Sequence, residues 1–168
     1  MFRLILLVLL CCATSISAGM IKKRSASHSG EYGGNGGSHF SHAMNQLDGP
    51  ITALRIRVSS SYITGLQVRY GRDWSDYEGG SRGEFHDIFL YPTESITRVS
   101  GMSDSYLRKL EFYTSFRRHI SVGANAGTTF SAIPQFPNSV LSYLSGRSDS
   151  SYVYAINFHW NVRPNEEN

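Results

Sequence analysis

The sequence predicts an all-β protein in which one β-rich unit of about 45 residues occurs three times. The three copies lie in residues 51–70, 96–114 and 140–160. Each copy opens with a β-branched apolar stretch, passes through a Ser-rich turn and a tyrosine, and then enters an alternating strand. A fixed period of this length is typical of repeat architectures, in which no unit buries its apolar face alone.

Two sets of aromatic residues keep the same period. The tyrosines lie 44 and 46 residues apart, and the phenylalanines, each of which follows a Gly-rich turn, lie 45 residues apart. The tyrosines are Tyr62, Tyr106 and Tyr152, and the phenylalanines are Phe40, Phe85 and Phe130. Because both sets recur together, the repeat includes its turns as well as its strands.

Alternation of apolar and polar residues predicts the strands of each unit. Leu66, Val68 and Tyr70, for example, alternate with Gln67 and Arg69, which is the period of a half-buried strand. The predicted strands are residues 51–58, 65–70, 85–91, 95–99, 107–114, 119–122, 130–133, 140–144 and 153–162, among about twelve in all. Three units of four strands that close on one another leave few free edges, and little or no helix is expected.

The N-terminus has the order of a secretory signal peptide, which we assign to residues 1–18. A short basic start at Arg3 precedes the apolar run 4–13, which is shorter than the roughly 20 residues needed to span a bilayer. Cleavage fits after Ser17, Ala18 or Gly19. A retained signal anchor is the alternative, and no later segment is long and apolar enough to cross a membrane.

The remaining chain divides into a short lead-in, one domain and a tail. Residues 19–25 are expected to be flexible, within a polar stretch that continues to Gly30, and residues 26–162 form the domain. Residues 163–168 are charged and expected to fray. Both cysteines, Cys11 and Cys12, lie in the predicted signal peptide, which excludes disulfides, thiol catalysis and Cys-ligated metals from the mature chain.

The formal net charge of +3 is mild. The basic residues cluster in four short groups, which favours either ordinary solvated charge or attraction to sulfated glycans or a membrane surface. Nucleic acid is not expected as a partner of an exported chain with so little excess charge.

No catalytic constellation is present in the sequence. Asp73 and Asp76 flank Trp74, and paired carboxylates can hydrolyse glycosides, but capping of a turn by aspartate is the alternative. His39 and His42 are three apart with no third ligand nearby, so no metal site is predicted. The sequence therefore predicts a protein without catalytic residues or cofactors.

Two loops have the residue types of a sugar site. Residues 33–37 read Gly-Gly-Asn-Gly-Gly, so their backbone N–H groups can approach a ligand closely. Residues 146–152 offer hydroxyls, a carboxylate, a guanidinium and an aromatic ring, which match the many hydroxyls and the flat C–H faces of sugars. The alternative for the glycine loop is a tight turn without a ligand.

Several strings of the sequence resemble a known family. They include Ser-Gly-Glu-Tyr-Gly at 29–33, Asn-Gln-Leu-Asp-Gly-Pro-Ile-Thr-Ala-Leu-Arg at 45–55, Gly-Leu-Gln-Val-Arg-Tyr-Gly at 65–71, Ser-Gly-Arg-Ser at 145–148 and His-Trp at 159–160. On these strings the chain resembles secreted animal members of the jacalin-related lectins over about residues 25–164. The resemblance implies a β-prism I fold of three four-stranded Greek-key sheets with pseudo-threefold symmetry, and metal-free binding of mannose-type glycans at one end.

The resemblance also implies where the sugar binds. A Gly-rich loop, a recognition loop and a binding loop correspond to residues 33–37, 102–106 and 148–154, and backbone N–H groups around Gly36 and Gly37 would meet ring hydroxyls. The candidate carbohydrate-binding residues are Gly36, Gly37, Ser103, Asp104, Tyr106, Asp149, Ser150, Ser151, Tyr152 and Tyr154.

One position departs from the family pattern. The binding loop of the family carries Gly-x-x-x-Asp before its last core strand, and Tyr154 stands at the aspartate position here. Hydrogen bonds to a charged group contribute about 1.5–3 kcal/mol each, so their loss weakens a monosaccharide site. Asp149 or Asp104 is a candidate replacement, and Tyr154 could stack on a different sugar. The alternative function is a structural or packing protein of secretory granules with a degenerate sugar site.

A second departure concerns charge. Ser38 and His39 occupy positions where relatives place basic residues implicated in binding sulfated glycosaminoglycans. Because histidine gains charge in acidic granules, binding of anionic glycans is expected to strengthen toward about pH 5–6. The expected partners are glycans of mucins, microbial surfaces or proteoglycans, and the expected location is extracellular, reached through secretory granules.

Overall fold

The computed structural model describes residues 25–163, which form thirteen β-strands and one short 3₁₀ helix, Asn45–Asp48. In chain order the strands are β1 Ala26–Gly33, β2 Ser38–Ser41, β3 Ile51–Ser59, β4 Tyr62–Tyr70, β5 Asp73–Trp74, β6 Glu78–Gly79, β7 Glu84–Phe89, β8 Ile96–Ser103, β9 Leu107–Thr114, β10 His119–Gly123, β11 Thr128–Ala132, β12 Ser139–Ser148 and β13 Val153–Val162. No helix in this part of the chain has the length and apolar character needed to cross a membrane. The predicted signal peptide, most of the lead-in and most of the tail lie outside the described residues.

The strands form three sheets with the same connectivity, as predicted. The sheet orders are β1-β13-β12-β2, β5-β4-β3-β7 and β10-β9-β8-β11, with β6 also paired to β4. In the third sheet, β8, β9 and β10 follow one another and β11 returns to lie beside β8, which is a Greek key. The second sheet repeats this pattern, and the first repeats it with strands taken from both ends of the domain.

Equivalent residue pairs at the centre of each sheet confirm the repeat. Each sheet has a register pair at the equivalent position of its two central strands with both side chains at most 2% exposed. The pairs are Leu54 with Val68, Val99 with Phe112, and Leu144 with Phe158. Their members are separated by the same 44 to 46 residues as the predicted repeats. Three inner faces thus meet in one apolar core around the pseudo-threefold axis.

The irregularities of the sheets also recur in each repeat. The register shifts near both ends of each central strand pair, at 51/53 and 57/58, at 96/98 and 102/103, and at 141/143 and 147/148. A bulge bends a strand and increases its twist. Three matching pairs of bulges therefore give the three sheets the same curvature, so that they close into a prism.

Two features differ from the sequence-based expectation. Strand β1, Ala26–Gly33, is not among the strands predicted from alternation, and it pairs along β13. The outer strand of the second sheet is broken into β5 and β6. Ser75 lies at the break, where its N–H donates to the Val68 carbonyl at 2.8 Å and its Oγ accepts from the Val68 N–H at 3.2 Å.

Candidate functional site

Loops from all three repeats meet at the end of the prism where β3, β8 and β12 finish. Tyr62, Tyr106 and Tyr152 contact one another there, with ring centroids 5.4 Å apart for Tyr62 and Tyr106, 5.3 Å for Tyr62 and Tyr152, and 4.9 Å for Tyr106 and Tyr152. The tyrosines that mark the sequence repeat therefore form a triad at the pseudo-threefold axis. The candidate residues lie in the connections around this triad, apart from Ser103 at the end of β8 and Tyr154 at the start of β13.

The glycine loop between β1 and β2 packs against the other two candidate loops. A Cβ added at Gly34 would lie 2.5 Å from the carbonyl oxygen of Ser105, and one added at Gly36 would lie 2.2 Å from the ring of Tyr154. The Gly34 N–H also donates to the Tyr154 carbonyl at 3.1 Å. The three candidate segments are thus brought together, and side chains at these glycines would push them apart.

Arg147 holds the carbonyl groups of the glycine loop. Its Nε donates to the Gly36 oxygen at 3.0 Å, and its Nη2 donates to the Gly37 oxygen at 2.9 Å. Within residues 25–163, the N–H groups of Gly36 and Gly37 donate to no protein acceptor. With the carbonyls bound to Arg147, the two N–H groups remain available to a ligand.

The sequence analysis counted Arg147 only as the guanidinium of residues 146–152 and did not include it among the candidate binding residues. The repeat itself contains the signal, because Arg57 lies two repeats before Arg147. Arg57 donates to the Ser81 oxygen in the second Gly-rich turn, which begins at Gly79 and precedes Phe85. Arg147 also lies beside His39, with its Nη1 2.6 Å from Nε2 of the imidazole. The guanidinium can donate to this nitrogen only when His39 is neutral.

The Asp149 carboxylate accepts hydrogen bonds from its own loop and from Tyr154, whose ring contacts the glycine loop. Its Oδ1 accepts from the N–H groups of Ser151 at 2.7 Å and Tyr152 at 2.9 Å, which fixes the turn of residues 149–152. Its Oδ2 accepts from the hydroxyl of Tyr154 at 2.8 Å. The Tyr154 ring contacts Gly36, so the tyrosine hydroxyl joins the carboxylate to the edge of the glycine loop.

These contacts shift the titration of both groups. Burial of Asp149 acts to raise its pKa, but the hydrogen bonds from Tyr152, Tyr154 and Ser151 outweigh that effect and lower it. The hydrogen bond to Asp149, with burial and charge effects in the same direction, raises the pKa of Tyr154 to about 12. Near neutral pH the pair is therefore a carboxylate that accepts from a neutral phenol.

Asp104, the other candidate replacement carboxylate, is paired with a cation. Arg108 Nη2 lies 2.7 Å from Asp104 Oδ2, and this hydrogen bond lowers the pKa of Asp104. The same guanidinium packs 3.9 Å from the ring centroid of Tyr62 and donates to the Ser61 carbonyl oxygen. Because Arg108 already neutralises Asp104, Asp149 is the better acceptor for a ligand beside the glycine loop.

The other predicted residues divide between the core and a neighbouring cavity. Ser103 is only 9% exposed at the end of β8, which removes it from the surface offered to a ligand. Ser150 and Ser151 are exposed and Tyr152 is half-buried, on the side of their loop that faces the second Gly-rich turn. The cavity there has a volume of about 440 Å³ and is lined by Ser59, Ser60, Tyr62, Thr64, Ser81, Arg82, Ser150, Ser151 and Tyr152. Among these lining residues, Arg82 is the only one with a charged side chain.

The residues considered for metal binding or hydrolysis lie elsewhere. His42 is buried against Tyr70, while His39 is exposed beside Arg147, and residues 25–163 hold no cluster of three or more metal-ligating side chains. Asp73 and Asp76 are both exposed, on β5 and in the segment that follows it. The structure thus gives no support to either pair as a site.

Comparisons with known proteins agree with this architecture. The family model described as the Jacalin-like lectin domain matches residues 29–159. Zymogen granule membrane protein 16 of Homo sapiens is 55% identical over 164 residues, with 98% of this chain and 96% of the human protein covered. The Rattus norvegicus protein of the same name is 54% identical over 168 residues, with 100% and 99% covered.

A solved structure shows the same fold at lower identity. The crystal structure of a prostate-specific WGA16 glycoprotein lectin superimposes with a TM-score of 0.71 and 29% sequence identity. The superposition covers 80% of this chain and 97% of that lectin. The three-sheet arrangement described above is therefore shared with a lectin of experimentally determined structure.

Proposed function

The chain belongs to the jacalin-like lectin family, and from this premise we propose that it binds glycans between the glycine loop and residues 149–152. The observation that carries the proposal is the placement of the Asp149 carboxylate, which reaches the glycine loop through the hydroxyl of Tyr154. In this proposal a sugar lies between the Asp149 acceptor and two backbone donors, Gly36 N–H and Gly37 N–H. This binding needs neither a metal nor a catalytic residue.

The chemistry of this arrangement suits a neutral, mannose-type sugar. Ring hydroxyls would donate to Asp149 and accept from Gly36 and Gly37, since hydroxyls do both. The Tyr106 and Tyr154 rings, whose centroids lie 5.0 Å apart, offer apolar area for the C–H face of a sugar. Asp149 thus takes the role of the aspartate that the family carries at the position of Tyr154.

Binding of anionic glycans is a second candidate function, and the 440 Å³ cavity favours it. Its lining combines the Arg82 guanidinium with several serine and threonine hydroxyls and includes no carboxylate. A sulfate or carboxylate group on a sugar pairs well with such donors. His39, whose contribution was expected from the sequence, lies beside Arg147 and does not line this cavity.

The proposed location is secretory granules and, after release, the extracellular space. The predicted signal peptide and the name of the human and rat relatives support this proposal. The proposed partners are glycans of mucins, microbial surfaces or proteoglycans. The alternative remains a granule packing protein whose sugar site has degenerated.

A glycan array tests the proposal, with neutral, sialylated and sulfated glycans on one surface. We expect saturable binding to neutral glycans that Asp149→Asn abolishes, with Asp73→Asn as the control for an exposed carboxylate on β5. Anionic binding at the cavity should be lost in Arg82→Gln. If no glycan gives a saturable signal, the lectin proposal fails and the packing protein is favoured. Turnover of a chromogenic glycoside would instead support hydrolysis by Asp73 and Asp76.

A further inference from the structure

We propose that the hydroxyl of Tyr154 is a built-in competitor that occupies Asp149 when no ligand is bound and thereby sets the affinity of the glycan site. The proposal rests on the proposed function, since it concerns the same carboxylate. Tyr154 Oη donates to Asp149 Oδ2 at 2.8 Å, a contact that a sugar hydroxyl would make in the same way. The tyrosine hydroxyl thus stands between the carboxylate and the glycine loop.

The hydrogen bonds of Asp149 leave little room for a second ligand group. A carboxylate offers about four lone-pair positions. Two are taken at Oδ1 by the N–H groups of Ser151 and Tyr152, and one at Oδ2 by Tyr154. A sugar that donates two hydroxyls to Asp149 must therefore displace Tyr154, because the two N–H bonds define the turn itself.

The ring of Tyr154 holds the hydroxyl in this position. The ring packs against Gly36, where an added Cβ would lie 2.2 Å from it. It also packs against Tyr106, whose ring centroid is 5.0 Å away. The packing of the ring on Gly36 and Tyr106 does not need the hydroxyl, which faces the Tyr106 side chain as well as Asp149. Replacement by phenylalanine should therefore keep the packing of the ring and remove the donor that competes for Asp149.

Asp149 is exposed, so water can solvate Oδ2 in the absence of the tyrosine hydroxyl. Loss of the hydrogen bond should consequently leave the fold intact while it frees the acceptor. Because a hydrogen bond to a charged group is comparatively strong, we expect Tyr154→Phe to bind a neutral sugar about tenfold more tightly than the unmodified protein. Most substitutions within a binding site weaken binding instead.

The test is calorimetric titration of the full chain with methyl α-mannoside. The control is Tyr91→Phe, which removes an exposed hydroxyl at the opposite end of the prism and should change nothing. The double variant Asp149→Asn/Tyr154→Phe should lose the gain, because the freed acceptor is gone. Circular dichroism should show the same thermal transition for Tyr154→Phe and the unmodified protein.

The outcomes separate this proposal from the proposed function. Equal or weaker binding by Tyr154→Phe, including no binding by either protein, would overturn the competition. If the array nevertheless shows Asp149-dependent binding of glycans, the lectin function stands without the competitor. If the array is also blank, both proposals fail.

Discussion

The imidazole of His42 lies in the core with its Nδ1 3.2 Å from the hydroxyl oxygen of Tyr70. Its Nε2 is buried and has no hydrogen-bond partner within residues 25–163. Burial outweighs the attraction of Asp76 and lowers the pKa of His42 from 6.5 to about 4. The folded protein therefore holds a neutral imidazole at pH values where the unfolded chain is already protonated.

Stability should accordingly fall as the solution is acidified. The contribution of neutral His42 is fully present above pH 6.5 and is lost as pH falls from 6.5 to about 4. The loss amounts to about 3 kcal/mol in the free energy of unfolding. Urea unfolding at several pH values measures it. His42→Asn should flatten the curve in this window, whereas His86→Asn, at an exposed histidine, should not.

Gly37 should tolerate no side chain. Its φ is +68°, and a Cβ there would lie 2.4 Å from the carbonyl oxygen of Ser148. We expect Gly37→Ala to lower the free energy of unfolding by about 1–3 kcal/mol, because strained backbone and a backbone clash add. Asn35→Ala, at an exposed position of the same loop, is the control and should be nearly neutral. Equal melting temperatures for both variants would contradict the strain.

The tyrosine triad should behave as one packed unit. Tyr62 and Tyr106 meet edge to face with centroids 5.4 Å apart, an arrangement that contributes about 0.5–1.5 kcal/mol beyond area burial. A double-mutant cycle with both tyrosines changed to alanine should give a coupling energy in that range. A second cycle, between Tyr62 and Tyr143 on a different sheet, should be additive. A zero coupling in the first cycle would show that the triad adds nothing beyond burial.

The carboxyl group of Glu94 should remain ionised in the core because Arg118 pairs with it. The Glu94 side chain is 0% exposed and accepts from Thr114 Oγ1 at 2.5 Å, Arg118 Nη1 at 2.7 Å and the Tyr91 N–H at 2.8 Å. Burial acts to raise its pKa, but these hydrogen bonds outweigh burial and lower it. The resulting stability is present above the unfolded value of 4.5 and is lost as pH falls through the lowered pKa.

Removal of the guanidinium tests this relationship. Arg118→Met should destabilise the protein by about 2–4 kcal/mol at pH 7, because it leaves a buried carboxylate with fewer partners. The difference from the unmodified protein should shrink toward pH 4, where Glu94 can be protonated in the variant. Arg117→Met changes an exposed neighbour and should cost little at either pH. A loss that does not vary with pH would mean that Arg118 acts through packing alone.

The repeat was predictable because aromatic and apolar residues recur along the sequence with a fixed period. The triad of Tyr62, Tyr106 and Tyr152 follows from that period and the closure of three units. Strand β1 was not predictable from alternation, because its serines, histidine and glycines carry no apolar face. Its pairing depends on β13 at the other end of the domain.

The candidate site was predictable only at the level of its loops. The bond between Tyr154 and Asp149 is a side-chain contact within one turn, and sequence spacing does not define the rotamers that make it. The hydrogen bond from Arg147 to the glycine loop joins segments that are far apart in the chain. The burial of Ser103 could have been inferred, since it shares strand parity with the buried residues Val99 and Gly101.

The first sheet combines strands from opposite ends of the domain, and Trp160 Nε1 donates to Ser29 Oγ across 131 positions of the chain. During synthesis, β1 and β2 have no partner strands until β12 and β13 have left the ribosome. Such distant pairing slows folding and leaves open edges on the nascent chain. A translation stop just before Ser139 should therefore yield a fragment that aggregates. In this fragment the second and third sheets lack the first sheet, which completes their core.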